Sequence, residues 1–381
     1  MQFIDLFTQI ATKGCIVLLS GYLSFSGFLA SSVEESFVRL GFMEPLPISS
    51  LSREDSAPAS DDTLTPVTKI PSHYNIENNI PRILLDNLSY QKAAVGGAGT
   101  SVARDTTTTT NIKEALVNVF CTYKKDDQLR AITGSGVFID NKGIILTNAH
   151  VAQFLLLADQ RKDAYCTIRQ GDPAESLYEA DLLYISPAWV HENATLIDAQ
   201  APTGTGERDY ALLYVTKALT GTLPSLFPAI RFDSTPLRRD ETHSDIYVAG
   251  YPAQIFSTKG PKAPLTPKVA HTTITEMFTF GGGDADLIAI GDSTVGEQGS
   301  SGGPVLSTDG TIKGLIVTRG DEKDGERSLR AITMPYINRT IQEETGFDLA
   351  TTLEGNISRR SEIFKKALVP FLASLLETEM E

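Results

Sequence analysis

The sequence is short of the residues that metal and redox sites require. Only three cysteines occur in 381 residues, and no Cys-x-x-Cys pair is present. The five histidines also lack the spacing of zinc ligands. We therefore expect neither a metal ion nor a cofactor.

Positive charge is also in deficit. The chain has 33 Lys and Arg against 47 Asp and Glu, a formal net charge of −14. Nucleic-acid binding needs a basic face, so nucleic acid is not an expected partner. The hydrophobic content of 41% is ordinary for a globular protein, and the length allows two domains or one large domain with tails.

Charged residues are missing altogether between Lys13 and Glu34. The 20 mostly apolar residues 14–33 are about long enough to cross a bilayer as a helix. We interpret residues 1–33 as a membrane anchor or an export signal. The stretch Phe28-Leu29-Ala30-Ser31, which ends in two small residues, makes cleavage of a signal peptide an alternative, and a buried soluble helix is another.

Residues 34–110 have the composition of a low-complexity linker. Prolines recur among Ser, Asp, Asn and Thr, and residues 106–110 are all threonine. Such a stretch buries too little apolar surface to offset its chain entropy. We expect it to hold the following domain away from a membrane, in the cell envelope and outside the cytoplasm.

Short β-type segments then recur between residues 111 and 345. One pair, residues 136–140 and 144–147, flanks an Asn-Lys-Gly turn and predicts a hairpin. Many short strands with few helical stretches predict an all-β barrel or sandwich.

Glycines surround two serines in the stretch GEQGSSGGPV, residues 296–305. This composition predicts a loop whose backbone passes close to another part of the chain. A serine hydroxyl becomes a nucleophile when a base takes its proton, and backbone N–H donors stabilise the resulting anion. Ser301, which Gly302 and Gly303 follow, is the candidate nucleophile.

A base and a carboxylate are needed to complete such a site. His150 follows the apolar strand that ends in Thr-Asn-Ala, and we expect it to open a short turn at a barrel rim. Asp209 opens an otherwise apolar strand and should be held at its buried end. Asp181 and Asp198 are the alternatives, although Asp181 lacks the Ala-Leu-Leu pattern that follows Asp209.

These motifs together resemble those of trypsin/chymotrypsin-like serine proteases. Ser-Gly-Gly-Pro-Val at Ser301 is similar to the family's serine signature, and Thr-Asn-Ala-His resembles the histidine motif of its bacterial high-temperature-requirement branch. The order His150, Asp209, Ser301 is also the family's. The resemblance covers about residues 112–345 and implies a chymotrypsin-like double β-barrel, with barrels at about 111–222 and 223–345.

The resemblance implies a serine endopeptidase that acts on proteins or peptides. It assigns the oxyanion hole to the N–H groups of Gly299 and Ser301. A catalytically silent peptide-binding module of the same fold is the alternative.

The resemblance also assigns substrate contacts. Thr318, Arg319 and Gly320 correspond to the strand edge that pairs with the substrate backbone. Val295 stands where trypsin-like specificity would require an acid, which favours small or medium apolar side chains. Ser300 replaces the family's usual Asp or Asn, so activation through a new N-terminus is not expected.

Two further expectations concern cysteines and the C-terminal tail. Cys121 and Cys166 lie in two strands of the first barrel, where an exported protein can form a disulfide, with two separate thiols as the alternative. Residues 346–381 read as an amphipathic helical tail, interrupted by Pro370. We expect it to dock on the barrel or on another subunit, and its 36 residues are too few for the PDZ domain that related proteases often carry.

Overall fold

The computed structural model describes residues 91–92, 112–125, 128–198, 206–260, 263–281, 283–291, 293–296, 298–323 and 326–380. Within them the strands are antiparallel and close into two six-stranded barrels, which confirms the predicted double barrel. The N-terminal segment 1–33 lies outside the described residues, and so does nearly all of the predicted linker 34–110.

The first barrel follows a two-residue strand, β1 (Gln91–Lys92). Its own strands are β2 (Leu116–Lys125), β3 (Gln128–Asp140), β4 (Ile144–Thr147), β5 (Ala164–Gln170), β6 (Glu175–Ile185) and β7 (Ala211–Ala218). They pair in the order β2-β3-β4-β7-β6-β5, and β5 closes the barrel on β2.

The predicted hairpin joins β3 to β4. Gly143 has φ +91°, a left-handed conformation that glycine adopts without strain. The Asp140 side chain accepts from the backbone N–H of Lys142 at 2.8 Å. This Asx-type contact fixes the turn and, with it, the register that brings Thr147 to the barrel rim.

The second barrel contains β8 (Asp245–Gly250), β9 (Lys268–Thr279), β10 (Leu287–Ile290), β11 (Pro304–Ser307), β12 (Ile312–Lys323) and β13 (Glu326–Thr333). Its order is β8-β9-β10-β13-β12-β11, closed by pairing of β11 with β8. β1 adds to β9, with Gln91 opposite Thr279. Two residues of the segment predicted as linker are therefore part of a sheet.

Helices lie between and after the strands. They are α1 (Ala149–Gln160) and α2 (Pro187–Asn193) before β7, with α3 (Ile255–Lys259) between β8 and β9. After β13 come α4 (Met334–Thr345), α5 (Leu349–Thr352), α6 (Ile357–Ala367) and α7 (Val369–Met380). No helix within the described ranges is long and apolar enough to cross a membrane.

The short turn predicted at His150 is wrong, because His150 lies in the first turn of the 12-residue α1. Residues 149–157 are all buried there, between β5, β6 and α7. A helix that is apolar on every side is stable only when other elements cover it. The covering helix α7 comes from the C-terminal tail, which local sequence around His150 does not reveal.

The C-terminal tail packs on the chain's own first barrel. α6 ends at Ala367 and α7 starts at Val369, so that Pro370 lies in a first helical turn, where its missing N–H is tolerated. Val369, Leu372 and Leu376 are buried against α1 and α2. Of the two docking modes expected for the tail, the structure shows the one on the barrel.

A disulfide joins Cys121 on β2 to Cys166 on β5. The two cysteines are directly opposite each other in the register of these strands. The bond therefore crosses the seam at which the first barrel closes.

Removing this disulfide should lower the free energy of unfolding. The bond closes a loop of 45 residues, for which chain entropy predicts a stabilisation of about 4 kcal/mol. Urea unfolding with and without reductant measures the loss, and the variant Cys121→Ser/Cys166→Ser, insensitive to reductant, is the control. Equal alkylation of both cysteines before and after reduction would contradict the bond.

Candidate active site

The loop predicted over residues 296–305 lies between β10 and β11, and its last two residues already belong to β11; residues 298–303, which we call the serine loop, touch both barrels. A Cβ atom on Gly302 would lie 2.0 Å from the Ser135 carbonyl oxygen and 2.6 Å from Thr147 Oγ1. A Cβ on Gly303 would lie 2.0 Å from the Ala249 carbonyl oxygen. These distances leave no room for a side chain, which is the physical reason for two glycines after Ser301.

Hydrogen bonds fasten Ser301 to the first barrel. The Ser301 carbonyl accepts from the backbone N–H of Ser135 at 2.7 Å, and Thr147 Oγ1 donates to the Ser135 carbonyl at 2.7 Å. Thr147 ends β4, three residues before His150. The structure thus brings the serine loop to the end of the strand from which the histidine helix begins.

His150 and Asp209 form a buried pair. His150 Nδ1 lies 2.7 Å from Asp209 Oδ2, and the backbone N–H of His150 donates to Asp209 Oδ1 at 2.9 Å. The Asp209 side chain is fully buried, and that of His150 is 3% exposed. A carboxylate accepts only, so Nδ1 carries the proton and Nε2 of the neutral ring is left as the acceptor.

Asn148 fixes the position of Asp209 from the other side. It is the N-cap residue of α1, yet its side chain makes no cap hydrogen bond. Its Nδ2 instead donates to the Asp209 carbonyl oxygen at 2.8 Å. Asn148 and His150 together therefore hold the backbone and the side chain of one aspartate.

The alternative carboxylates are not placed beside His150. Asp181 is 3.1 Å from Lys365 Nζ on α6. Asp198 ends a short 3-10 helix, Ala194–Asp198. Of these three aspartates, the structure pairs Asp209 with the histidine.

The residue before Asp209 has a strained backbone. Arg208 has φ +53°, an uncommon conformation for a residue with a side chain. Its N–H donates to the Tyr336 hydroxyl at 3.0 Å, and its Nε lies 3.0 Å from Glu344 Oε1. Both partners lie on α4, so this helix holds the turn that leads into Asp209.

Polar groups of the first barrel hold Glu344 in turn. Its carboxylate accepts from Ser186 Oγ at 2.8 Å and from the Tyr184 hydroxyl at 2.5 Å. Burial raises the pKa of Tyr184 and of Tyr336, so both hydroxyls keep their protons. Sequence reasoning missed Tyr336 and Glu344, since neither belongs to a recognisable motif.

Two N–H groups of the serine loop, those of Gly299 and Ser301, have no hydrogen-bond partner among the residues that the structure describes. The Gln298 carbonyl accepts from Ala253 N at 2.6 Å, and the Ser300 carbonyl accepts from Gly303 N at 2.9 Å. The C=O and N–H of a trans peptide point in opposite directions. The N–H of Gly299 therefore points away from Ala253, and that of Ser301 points away from the Gly303 N–H.

Ser300 differs from Ser301 in its surroundings. It is fully buried, and its Oγ has no hydrogen-bond partner in the described part of the chain. A Cβ on Gly250 would lie 3.2 Å from the Ser300 Cα. The Ser300 hydroxyl is therefore closely surrounded but forms no hydrogen bond within the described residues.

The predicted substrate-contact residues fall into two groups. Thr318, Arg319 and Gly320 lie in β12, with Thr318 opposite Arg330 and Arg319 opposite Leu329 of β13. Val295 is fully buried in the apolar core of the second barrel, together with Ile290, Val305 and Leu329. Its side chain therefore belongs to the core and lines no open pocket in the described part of the chain.

Comparison with protein families agrees with this geometry. Residues 134–315 match a family model described as a trypsin-like peptidase domain. The matched segment contains Ser135, His150, Asp209 and Ser301, and it supports the trypsin/chymotrypsin-like family. A search of curated proteins gave no match.

Proposed function

We propose that this protein is a serine endopeptidase. The observation that carries the proposal is the buried His150–Asp209 pair, with Nδ1 held by the carboxylate at 2.7 Å. This pairing leaves Nε2 as a base, and the serine loop is fastened to the same end of the first barrel. The match to the trypsin-like peptidase domain supports a protease-like function.

The proposed reaction has two halves. In the first, Ser301 Oγ attacks a peptide carbonyl carbon while its proton passes to His150 Nε2, and the carbonyl oxygen becomes an oxyanion. Collapse breaks the C–N bond, and the imidazolium gives the proton to the leaving amine. Water then hydrolyses the ester by the same route in reverse, which releases the acid and restores Ser301.

The residues around the reacting atoms act electrostatically. Asp209 stabilises the imidazolium and keeps the ring in one tautomer and one orientation. The N–H groups of Gly299 and Ser301 donate hydrogen bonds to the oxyanion. The carbonyls of the same two peptide units, those of Gln298 and Ser300, are held by other backbone N–H groups, which fixes the orientation of both donors. Asn148 and α4 hold Asp209 without touching the substrate. The Thr-Asn-Ala-His motif relates this arrangement to the bacterial high-temperature-requirement proteases.

Substitution of the nucleophile tests the proposal directly. Ser301→Ala should abolish cleavage of casein or peptides and labelling by a fluorophosphonate, because the attacking oxygen is gone. Ser300→Ala is the matched control, since the neighbouring hydroxyl is buried without a partner, and it should retain labelling and activity. Labelling mapped to Ser300, or cleavage by Ser301→Ala, would overturn the assignment. A wild-type protein that binds peptides but never labels would favour the silent binding module.

Asp209→Asn tests the role of the carboxylate. The amide fits the same space, but its NH₂ group favours the tautomer with the proton on Nε2, which cannot act as the base. We expect kcat to fall by roughly 10³-fold to 10⁴-fold with the fold preserved. Steady-state kinetics and circular dichroism measure the two quantities. A loss of less than 10-fold in a folded variant would exclude Asp209 from the triad.

The proposed cleavage specificity rests on the absence of an acid at Val295, which lies in the uncharged core of the second barrel. No acid stands there to bind an Arg or Lys side chain, so we propose a preference for small or medium apolar residues before the cleaved bond. The edge of β12 at Thr318–Gly320 would pair with the substrate backbone. A peptide-library profile tests both, and dominant cleavage after Arg or Lys would refute the preference.

A further inference from the structure

Ser135 on β3 of the first barrel forms hydrogen bonds to the serine loop through both its backbone and its side chain. It is fully buried. Its backbone N–H donates to the Ser301 carbonyl at 2.7 Å. Its Oγ donates to the Gly299 carbonyl at 2.7 Å and accepts from the backbone N–H of Tyr251 at 2.8 Å.

These bonds connect three separate segments. Tyr251 follows β8 of the second barrel, and Gly299 belongs to the serine loop. The Ser135 hydroxyl therefore links the first barrel, the second barrel and the loop through one oxygen atom. It satisfies one donor and one acceptor that are otherwise unpaired among the described residues.

The bond to Gly299 acts on a residue with a left-handed backbone. Gly299 has φ +90°, a conformation that residues with a side chain rarely adopt. The Gln298 carbonyl fixes the peptide before Gly299, while Ser135 Oγ fixes the peptide after it. Between them these two contacts determine where the Gly299 N–H points.

We propose that Ser135 is a positioning residue that holds the oxyanion-binding N–H groups in place, a role that rests on the serine endopeptidase activity proposed above. It acts through Gly299 and Ser301 and does not itself contact substrate. The space admits little else, since a Cβ on the adjoining Gly250 would lie 3.2 Å from Ser135 Oγ. Alanine at 135 would leave the Gly299 carbonyl and the Tyr251 N–H without their partner.

The experiment compares Ser135→Ala with Ser361→Ala. Ser361 is the matched control, a buried serine on α6 whose Oγ donates to the Leu182 carbonyl at 3.0 Å, away from the serine loop. Steady-state kinetics, fluorophosphonate labelling rates and thermal unfolding are measured for both variants and the wild type. Assays run well below each melting temperature separate catalysis from stability.

We expect Ser135→Ala to lower kcat and the labelling rate by about 10-fold to 100-fold, somewhat less than loss of an oxyanion donor itself. KM should change by less than about 3-fold, because the contact acts on the transition state. Ser361→Ala should keep the wild-type kcat. If Ser135→Ala does not fold, Ser135→Cys, with a similar shape and a weaker donor, should lower kcat by at least about 3-fold.

Three results would overturn the inference. One is a folded Ser135→Ala whose kcat is within 2-fold of wild type, and another is a folded Ser135→Cys with unchanged kcat. The third is an equal kcat loss in Ser361→Ala, which would indicate general destabilisation. A wild-type protein whose Ser301 never reacts with the fluorophosphonate would instead refute the proposed activity, and this inference with it.

Discussion

The carboxylate of Asp209 is enclosed without exposure to water, and the start of α1 is arranged around it. An isolated buried charge costs several kcal/mol, so its partners must be in place when the barrel is complete. The carboxylate has two such partners, the backbone N–H and Nδ1 of His150 at the start of α1, while Asn148 beside it holds the Asp209 backbone carbonyl. The helix in turn requires α7 to cover its apolar side. The partners of the Asp209 carboxylate thus lie on a helix that the C-terminal tail covers.

The candidate site also needs the two barrels to meet in one orientation, because the serine loop and His150 come from different barrels. Tyr251 illustrates how this is achieved, because it contacts the first barrel through both ends. Its backbone N–H donates to Ser135 Oγ, and its hydroxyl donates to the Gly171 carbonyl at 3.0 Å. Burial raises the pKa of Tyr251 to about 12, so the hydroxyl remains a donor at physiological pH. Glycines at the contact let the two backbones approach closely.

The sequence predicted those parts of the structure that local pattern controls. The β3–β4 hairpin follows from an Asn-Lys-Gly turn between apolar runs, and the serine loop follows from its glycines. The Gly-Ser-Gly run at 134–136 is different, because no local pattern explains its two glycines. A Cβ on Gly134 would lie 2.5 Å from the Val151 side chain, and one on Gly136 would lie 2.8 Å from that of Ile145. Only the folded chain shows what stands opposite these glycines.

The contacts that support Asp209 are the ones that local pattern could not supply. Arg208 and Tyr336 are separated by 128 positions. No spacing rule connects a tyrosine on α4, which follows the second barrel, with a turn in the first barrel. The same holds for α1, whose helical state depends on burial by α7 more than on its own caps.

The contact between Arg208 and α4 also bears on how the molecule is synthesised. A ribosome completes the first barrel's strands long before Tyr336 and Glu344 emerge, and domains generally fold in order of synthesis. The turn before Asp209 therefore gains these contacts only after α4, which follows both barrels in the sequence, has been synthesised. A nascent chain that has released His150, Asp209 and Ser301 still lacks the support for its aspartate until α4 leaves the exit tunnel. Such an order delays complete assembly of the site until α4 has been synthesised.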